Sequence, residues 1–281
     1  MLPLIELKEV SKQIDDFRLG PISLAVEPGT ITAFVGNNGS GKSTLLKLIM
    51  NLANLDGGEI RVNGKRVDGK DESWKKDITF QPQRSVGWDA YTGTDLKKLI
   101  APLYTKWDEA LFERMIALFN VPLGKRFDKL SPGMQQKLSL SLSLPRSTDI
   151  LMLDEPTASL DIPSQKLVMD LLVDWMEKEN RVIILTTHQP ETLRKLADYL
   201  LLLQNGQVIG RYEKDLLFTG FRRYWLKEMP TLPVPGELSR SGKQLISENP
   251  DATERYFMER ESDIIDDKAL ELEEVISLLL K

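Results

Sequence analysis

The stretch GNNGSGKST, residues 36–44, decides the fold. It matches the pattern G-x-x-x-x-G-K-[ST], and the residues at its four fixed places are Gly36, Gly41, Lys42 and Ser43. The apolar run ITAFV, residues 31–35, precedes it and predicts a short buried strand, whereas the sequence LLKLIM after it has a helical composition. A strand, a glycine-rich loop and a helix start in this order predict a site for the phosphates of a nucleoside triphosphate.

The residue types of this loop suit phosphate chemistry. Its glycines let the backbone fold back so that successive N–H groups point at phosphate oxygens, beside the positive end of the following helix. We expect Lys42 to reach the β- and γ-phosphates and the Ser43 hydroxyl to ligate Mg²⁺. A glycine-rich turn that matches by chance is the weaker interpretation, because the motif fits in full. The residues expected to contact nucleotide here are Gly36, Asn37, Asn38, Gly39, Ser40, Gly41, Lys42, Ser43 and Thr44.

The composition is that of a globular protein. The chain has 281 residues, 41% hydrophobic and 28% charged, which is room for one α/β domain of about 200 residues and a small second one. A net charge of -5 gives no reason to expect nucleic-acid binding. The absence of cysteine excludes a disulfide framework and cysteine-ligated metal chemistry, and fits a cytoplasmic protein.

Neither end of the sequence nor its interior predicts membrane insertion. The start MLPLIELKEV is not expected to be a signal peptide, because charged residues interrupt its apolar run early. No apolar stretch approaches the ~20 residues that a membrane helix needs. If the protein works at a membrane, another chain must supply the span.

The segments around the phosphate loop predict two kinds of sheet. Residues 4–10 alternate apolar and polar and predict an exposed-edge strand, and residues 22–26 predict another strand. Residues 59–65 predict a hairpin that turns at Asn63-Gly64, and residues 200–209 a second one. The chain therefore combines antiparallel strands with a parallel core, unlike the plain alternation of a small nucleotide kinase.

Residues 78–83, ITFQPQ, predict a short strand and then a loop that carries Gln83. A glutamine carbonyl can ligate Mg²⁺ or hold a water while the amide donates, although a loop glutamine without a role is the simpler interpretation. Residues from about 84 to 145 are expected to form a helical subdomain, with its clearest helix at 107–119. The residues predicted to share one face of that helix are Leu111, Met115 and Leu118.

Ser131, Pro132 and Gly133 open the next apolar-rich helix. Ser131 is a good N-cap and Pro132 suits the first helical position, so these residues could simply start a helix. The functional interpretation is that the same helix N-terminus is offered to a phosphate.

Two strand ends carry candidate catalytic residues. Residues 150–155, ILMLDE, form an apolar run that ends in two acids, typical of a buried parallel strand whose carboxyl end opens on a site. We expect Asp154 to face Mg²⁺ through a water and Glu155 to act as general base for an attacking water. His188, the only histidine, follows the apolar strand 182–185; a lone histidine usually packs, but here it is placed to touch phosphate.

The character of the sequence changes at about residue 213. We predict a small α/β appendage over residues 213–281, with strands at 222–226 and 243–246 and a helix at 269–280. The appendage contains no candidate catalytic or ligand-binding residue.

Between the two acids and His188, a helix is expected at 164–178, after the short turn 159–161.

With these pieces in order, residues 1–212 resemble the nucleotide-binding subunits of ATP-binding cassette (ABC) transporters. The motifs that carry the resemblance are the phosphate loop 36–44, the Q-loop residue Gln83, the signature 130–136, the Walker B end at Asp154 and Glu155, the D-loop 159–161 and the switch histidine His188. The resemblance implies an α/β P-loop NTPase of the ABC-ATPase fold, with a mixed core sheet, an antiparallel N-terminal β part, a helical subdomain and the small C-terminal appendage.

The resemblance also implies a mechanism. Two such domains would dimerise head to tail around two ATP molecules, each held between the phosphate loop of one and the signature helix of the other. Ser131, Gly133 and Asp161 would join the nucleotide contacts, Glu155 and His188 would be catalytic, and Mg²⁺ would be held by Ser43, Gln83 and Asp154. Hydrolysis would reopen the dimer at the inner face of the membrane and move permease subunits on separate chains.

The sequence departs from the family pattern in two places. The signature is LSPGM where LSGGQ is commonest, and Pro132 removes an N–H that could face the γ-phosphate, so we expect activity that is reduced. Ile14 stands where an adenine-stacking tyrosine is common, and Phe17 is the nearest ring. The Gly133-Met134 signature, the helical insert and the C-terminal tail look similar to bacterial exporter-type ATPases of the bacitracin-resistance and ABC-2 class.

Two other functional classes compete with a transporter ATPase. A soluble ABC mechanoenzyme of DNA repair or translation would carry a long coiled coil or a second cassette, and this sequence has neither. A P-loop small-molecule kinase would not need the signature, the D-loop and His188 together.

Overall fold

The computed structural model describes residues 2–178, 180–260 and 263–280. The chain divides into two compact units between Arg211 and Tyr212. The strands are β1 (Ile5–Ile14), β2 (Phe17–Val26), β3 (Ile31–Val35), β4 (Gly57–Val62), β5 (Lys65–Arg66), β6 (Ile78–Gln81), β7 (Ile150–Asp154), β8 (Val182–Thr186), β9 (Tyr199–Gln204), β10 (Gln207–Glu213), β11 (Arg222–Leu226), β12 (Glu237–Ser241), β13 (Gln244–Ser247) and β14 (Ile264–Ala269). The helices are α1 (Lys42–Ile49), α2 (Gly93–Ile100), α3 (Glu109–Phe119), α4 (Pro132–Ser143), α5 (Ile162–Met176), α6 (Pro190–Leu196), α7 (Lys214–Thr219), α8 (Pro250–Glu259) and α9 (Leu272–Leu279).

The main sheet of the first unit has the strand order β10-β9-β3-β8-β7-β6. Strands β6, β7, β8, β3 and β9 are parallel. Every residue of β3, β7 and β8 is buried, which is why each is a continuous apolar run in the sequence. Because the carboxyl ends of parallel strands meet at one edge, the residues that follow β3, β6, β7 and β8 are brought together there.

A second, antiparallel sheet of the first unit has the order β2-β1-β4-β5. The prediction that residues 4–10 form an edge strand was wrong, because β1 lies between β2 and β4 and extends to Ile14. Alternation along a strand shows that one of its faces is exposed, but not whether both of its sides are paired. The two sheets and α1 share one continuous hydrophobic core.

Both predicted hairpins are present and turn at an Asn-Gly pair. The φ angles are 49° at Asn63 and 75° at Gly64, and 48° at Asn205 and 77° at Gly206. Positive φ at both central residues is typical of the type I′ turn, whose twist matches that of the strands it joins. Asn and Gly are the residues that adopt this conformation with least strain.

Helices α2, α3 and α4 follow β6 and form the helical part of the first unit. The face of α3 predicted from the sequence was partly wrong: Phe112, Met115 and Phe119 are buried, whereas Leu118 is 43% exposed. The helix is apolar on more than one side, so periodicity alone did not select the buried side. Phe112 is fixed by packing with Trp107, whose ring centroid lies 5.6 Å from its own.

The second unit has its own antiparallel sheet, with the order β12-β13-β11-β14. Its core residues are Tyr224, Leu226, Val234, Leu245 and Phe257. The strands expected at 222–226 and 243–246 correspond to β11 and β13, whereas β12, α8 and β14 were not predicted. Helix α9 begins at Leu272 rather than at Ala269, because Ala269 belongs to β14. Within the described part of the chain, no helix is long and apolar enough to cross a membrane.

Candidate functional site

Close packing requires glycine at two positions of the loop between β3 and α1. Gly41 has a φ of 105°, and a Cβ there would lie 2.5 Å from Leu19 Cδ1. A Cβ on Gly36 would lie only 2.1 Å from the carbonyl oxygen of Leu203 on β9. Another residue type would clash with the Leu203 main chain at position 36 and would be strained by the positive φ at position 41, so the path of the loop depends on both glycines.

Lys42 folds back onto its own loop. Its Nζ donates to the carbonyl oxygen of Gly36 at 2.6 Å and to that of Asn37 at 3.1 Å. Burial lowers the pKa of this lysine, although the nearby carboxylates of Glu155 and Asp154 oppose the shift. Two neutral carbonyls are weak partners for a buried ammonium group, so the site favours an anionic ligand.

Ser40 adds a second observation of the same kind. Its side chain is buried, and its Oγ has no hydrogen-bond partner among the described residues. A buried hydroxyl without a partner costs free energy, and such groups are rare in native proteins. Together with Lys42, it gives the loop polar groups that a polar ligand could satisfy.

A cavity of about 460 Å³ lies over the loop, a size that suits a small-molecule ligand. It brings together the loop and the residues predicted at the other strand ends. The residues that line it are Ile14, Phe17, Asn38, Gly39, Ser40, Gly41, Lys42, Ser43, Thr44, Gln83, Asp154, Glu155 and His188. The ring of Phe17 lies close to Gly41, with its Cζ 3.2 Å from where a Cβ of Gly41 would be.

The two acids leave β7 in different ways. Asp154 is the last residue of the strand, is 5% exposed, and its Oδ1 accepts a hydrogen bond from the Thr186 hydroxyl at 2.7 Å. Glu155 has a φ of 53°, in the left-handed region. Its N–H donates to Oγ1 of Thr186 at 2.9 Å and to the carbonyl oxygen of Thr186 at 3.2 Å. The chain thus turns sharply after Asp154 and is fixed to β8.

Glu155 and His188 contact each other across the cavity, with Glu155 Oε1 3.3 Å from His188 Nε2. Burial raises the pKa of Glu155; the positive charge of Lys42 opposes this shift and the negative charge of Asp154 adds to it. Burial lowers the pKa of His188, and Lys42 lowers it further. A glutamate with a raised pKa is better suited to accept a proton near neutral pH, and the imidazole beside it is neutral there.

A second cavity, of about 430 Å³, shares Gln83 and Glu155 with the first and extends to Pro132 and Ser159. Beside it, Gln136 of α4 donates its amide Nε2 to the carbonyl oxygens of Pro156, at 2.9 Å, and of Glu155, at 3.4 Å. Helix α4 is therefore hydrogen-bonded directly to the segment that carries Glu155.

Five predicted site residues lie outside the lining of the first cavity: Gly36, Asn37, Ser131, Gly133 and Asp161. Ser131 caps α4 as expected, its hydroxyl accepting from the N–H of Met134 at 3.3 Å, with Pro132 in the first turn. Gly133 packs against the D-loop, since a Cβ there would lie 2.8 Å from the carbonyl oxygen of Ser159. Asp161 caps α5, which begins at Ile162, and accepts from the N–H of Ser164 at 2.8 Å.

Sequence reasoning missed the contributions of Thr186 and Gln136. Both are buried polar side chains, and each hydrogen-bonds to the segment that carries the acids. The hydroxyl at the end of an apolar strand was the one available signal, because α4 has several other polar residues from which Gln136 does not stand out. The sequence does not predict which residues these side chains contact, because the contacts join residues far apart in the sequence.

Comparison with known proteins fits this geometry. A family model described as ABC transporter matches residues 19–158. The ABC transporter ATP-binding protein YtrB of Bacillus subtilis is 30% identical over 215 residues, which cover 76% of this chain and 73% of YtrB. The chain belongs to the ABC transporter ATPase family.

Other ABC ATPases resemble the chain over most of their length. The energy-coupling factor transporter ATP-binding protein EcfA2 of Ligilactobacillus salivarius is 30% identical over 232 residues, covering 78% of this chain and 79% of that protein. A solved structure of an ATP binding subunit of an ABC transporter superimposes with a TM-score of 0.69 at 26% identity, covering 76% of this chain and 91% of the other. The α/β ABC-ATPase fold expected from the sequence is confirmed, and the chain is an ATPase.

Proposed function

We propose that this ABC ATPase powers a membrane exporter as a dimer at the cytoplasmic face, driving permease subunits on separate chains. The observation that carries the ATPase part is the cavity in which the phosphate loop meets Gln83, both acids and His188. The exporter assignment is supported by the Gly133-Met134 signature and the C-terminal α/β unit, which resemble the bacitracin-resistance and ABC-2 class.

The loop residues bind the nucleotide. Lys42 leaves the carbonyl oxygens of Gly36 and Asn37 and pairs with phosphate oxygens, which are stronger partners for its charge. The Ser40 hydroxyl gains the partner that it lacks. At the other end of the cavity, Phe17 supplies the aromatic face for adenine, because Ile14 has no ring to stack.

The oxygen donors in the cavity fit Mg²⁺. Ser43, Gln83 and Asp154 all line it, and Mg²⁺ is commonly bound by a few such oxygens together with substrate phosphates and waters. Mg²⁺ bound there would supply positive charge to offset the negative charge of the phosphates. Ser43 and Gln83 would hold it directly, and Asp154 through a water.

Glu155 takes the proton of the water that attacks the γ-phosphate. Its raised pKa suits this step, and contact with His188 Nε2 at 3.3 Å orients the carboxylate. His188 stays neutral at pH 7, and the single N–H of its imidazole, on Nε2, donates to the Glu155 carboxylate. General-base catalysis of this kind contributes roughly 10²- to 10⁴-fold in rate.

Ser131, Gly133 and Asp161 serve the nucleotide of the second subunit. They lie outside the nucleotide cavity of their own chain, and Ser131 and Asp161 are exposed. The start of α4 offers backbone N–H groups to a phosphate, with one fewer than usual because of Pro132. The ATP-bound dimer is favoured because each nucleotide contacts two surfaces.

The test is the oligomeric state of Glu155→Gln, measured by light scattering on a sizing column with and without Mg-ATP. We expect a dimer only with ATP, and hydrolysis slowed roughly 10²- to 10⁴-fold, because the base is lost while the binding groups remain. The matched control carries Lys42→Ala as well and should stay monomeric. Wild-type turnover in Glu155→Gln would contradict the assignment of Glu155 as the general base. An ATP-bound monomer would contradict the homodimer.

Direction of transport needs a separate experiment. Membrane proteins that co-purify with the tagged chain would be reconstituted with it in vesicles whose ATPase side faces outward. Export predicts that ATP added outside drives a co-purified compound into the vesicles. Release from preloaded vesicles would indicate uptake and contradict the exporter proposal.

A further inference from the structure

A single buried hydroxyl connects the two acids of the site. Thr186, at 0% exposure, donates from Oγ1 to Asp154 Oδ1 at 2.7 Å, and the same Oγ1 accepts the N–H of Glu155 at 2.9 Å. Thr186 ends β8 and lies opposite Asp154 in the register of the two parallel strands. It therefore contacts the side chain of one acid and the main chain of the other.

The direction of these hydrogen bonds is fixed by chemistry. The N–H of Glu155 can only donate, so the Thr186 oxygen must accept from it. The one hydroxyl hydrogen is then free to go to Asp154, whose Oδ1 accepts it. Because threonine is β-branched, its χ1 is restricted, and the strand register sets where the hydroxyl points. With these partners, the donors and acceptors of the two hydrogen bonds cannot be exchanged.

The conformation of Glu155 needs this support. A residue with a side chain is strained at a φ of 53°, and such conformations persist only where the surrounding structure fixes them. The Thr186 hydroxyl supplies the shorter of the two bonds to the N–H of Glu155, since the Thr186 carbonyl oxygen is at 3.2 Å. On the other side, Gln136 holds the carbonyl oxygens of Glu155 and Pro156.

We propose that Thr186 is a positioning residue for ATP hydrolysis, whose hydroxyl sets the orientation of the Asp154 carboxylate and the direction in which Glu155 leaves the strand. The inference rests on the proposed function, which makes Asp154 the acid that faces the metal and Glu155 the base. With Oδ1 of Asp154 occupied by Thr186, the other carboxylate oxygen remains available to the metal's water. Thr186 is not among the residues that line the cavity.

The experiment compares three substitutions. Thr186→Val keeps the shape of the side chain and removes the hydroxyl, whereas Thr186→Ser keeps the hydroxyl and removes the methyl group. The matched control is Thr32→Val on β3, because Thr32 is also fully buried in the same sheet but its hydroxyl has no partner among the described residues. Loss of an unpartnered hydroxyl should leave activity unchanged.

For Thr186→Val we expect kcat to fall roughly 10- to 100-fold, as when groups that orient metal ligands are removed, while KM for ATP changes less than threefold. The Mg²⁺ concentration for half-maximal activity should rise severalfold. ATP affinity measured in EDTA should match the wild type, because the loop and Lys42 are untouched, but the gain in affinity on adding Mg²⁺ should be smaller. Thr186→Ser should restore all three quantities to within about threefold.

Three results would overturn the inference: wild-type kcat and Mg²⁺ dependence in Thr186→Val, a defect in Thr186→Ser as large as in Thr186→Val, or the same defect in Thr32→Val. If Thr186→Val does not fold, Thr186→Ala provides the hydroxyl-free variant for the same comparison. Failure of the proposed function is distinguishable, because the wild-type chain would then neither bind ATP in EDTA nor hydrolyse it with Mg²⁺.

Discussion

The nucleotide site of the first unit and the C-terminal unit differ in the burial and the pairing of their charged side chains. In the site, Lys42, Asp154 and Glu155 are buried around one cavity. In the C-terminal unit, charges pair at the surface, as in Arg223 with Glu274 at 3.0 Å and Lys227 with Asp263 at 3.1 Å. Exposed pairs of this kind contribute little to stability, and a hydrophobic core carries the unit. Buried charges without strong partners thus distinguish the nucleotide site, whereas the paired surface charges of the C-terminal unit indicate no such site.

The largest expected effect tests whether folding of the C-terminal unit can be separated from the site. Phe257→Ala removes a buried ring that packs edge-on against Tyr224, with centroids 5.4 Å apart. We expect the free energy of unfolding of this unit to fall by about 3–5 kcal/mol. Hydrogen exchange should show lost protection in peptides from residues 212–281, with little change in 1–211 and unchanged ATP affinity.

The adjacent residue provides the control for that substitution. Met258 lies on the same helix but is 76% exposed, so Met258→Ala should leave protection almost unchanged. If Phe257→Ala lowers protection equally in both parts of the chain, the two units unfold together and the contrast between them fails.

The next prediction tests the role of a buried charge in the nucleotide site. Lys42→Ala should weaken ATP binding by roughly 10- to 100-fold, because a hydrogen-bonded charge in a buried site contributes about 1.5–3 kcal/mol. Isothermal calorimetry with ATP measures it directly. Lys47→Ala, on the exposed face of the same helix, is the control and should bind ATP normally. Retained affinity in Lys42→Ala would refute the phosphate-loop interpretation.

The smallest effect concerns pH. Hydrogen bonds from the backbone and side chain of Ser164, with help from Lys137, lower the pKa of Asp161 from 3.8 to about 2. A lowered pKa means that the carboxylate adds stability above about pH 4 and loses it as the pH falls toward 2. Asp161→Asn keeps an N-cap that does not titrate. In urea unfolding, the advantage of the wild type over this variant should therefore shrink on acidification; an advantage that grows would contradict the assignment.

Motifs with required chemistry were predictable from the sequence. Phosphate binding needs glycines, a lysine and a hydroxyl at fixed spacing, so residues 36–44 identified the loop, and the apolar runs before Asp154 and His188 identified the core strands. The helix cap at Ser131 followed equally from local rules. These features depend on neighbours in sequence, which a single chain displays.

Features that depend on distant partners were not predictable. The position of β1 between two strands, and the contact of Thr186 with Asp154 and Glu155, are set by pairing across the fold. Strand β14 is exposed along its whole length, so its sequence IIDDKA shows no alternation that would mark it as a strand. Its place at the edge of the sheet explains both its exposure and its acids.

The left-handed backbone conformation at Glu155 lowers the stability of the fold at a residue that the proposed reaction requires. Such a conformation costs a residue with a side chain about 1–2 kcal/mol, whereas glycine adopts it freely. A chain selected for stability alone would therefore carry glycine at position 155; under the proposed role of Glu155, such a chain would be more stable but would not hydrolyse ATP. Thermostabilised versions of this protein should be sought elsewhere in the molecule, since at this position the most stable sequence and the working sequence differ.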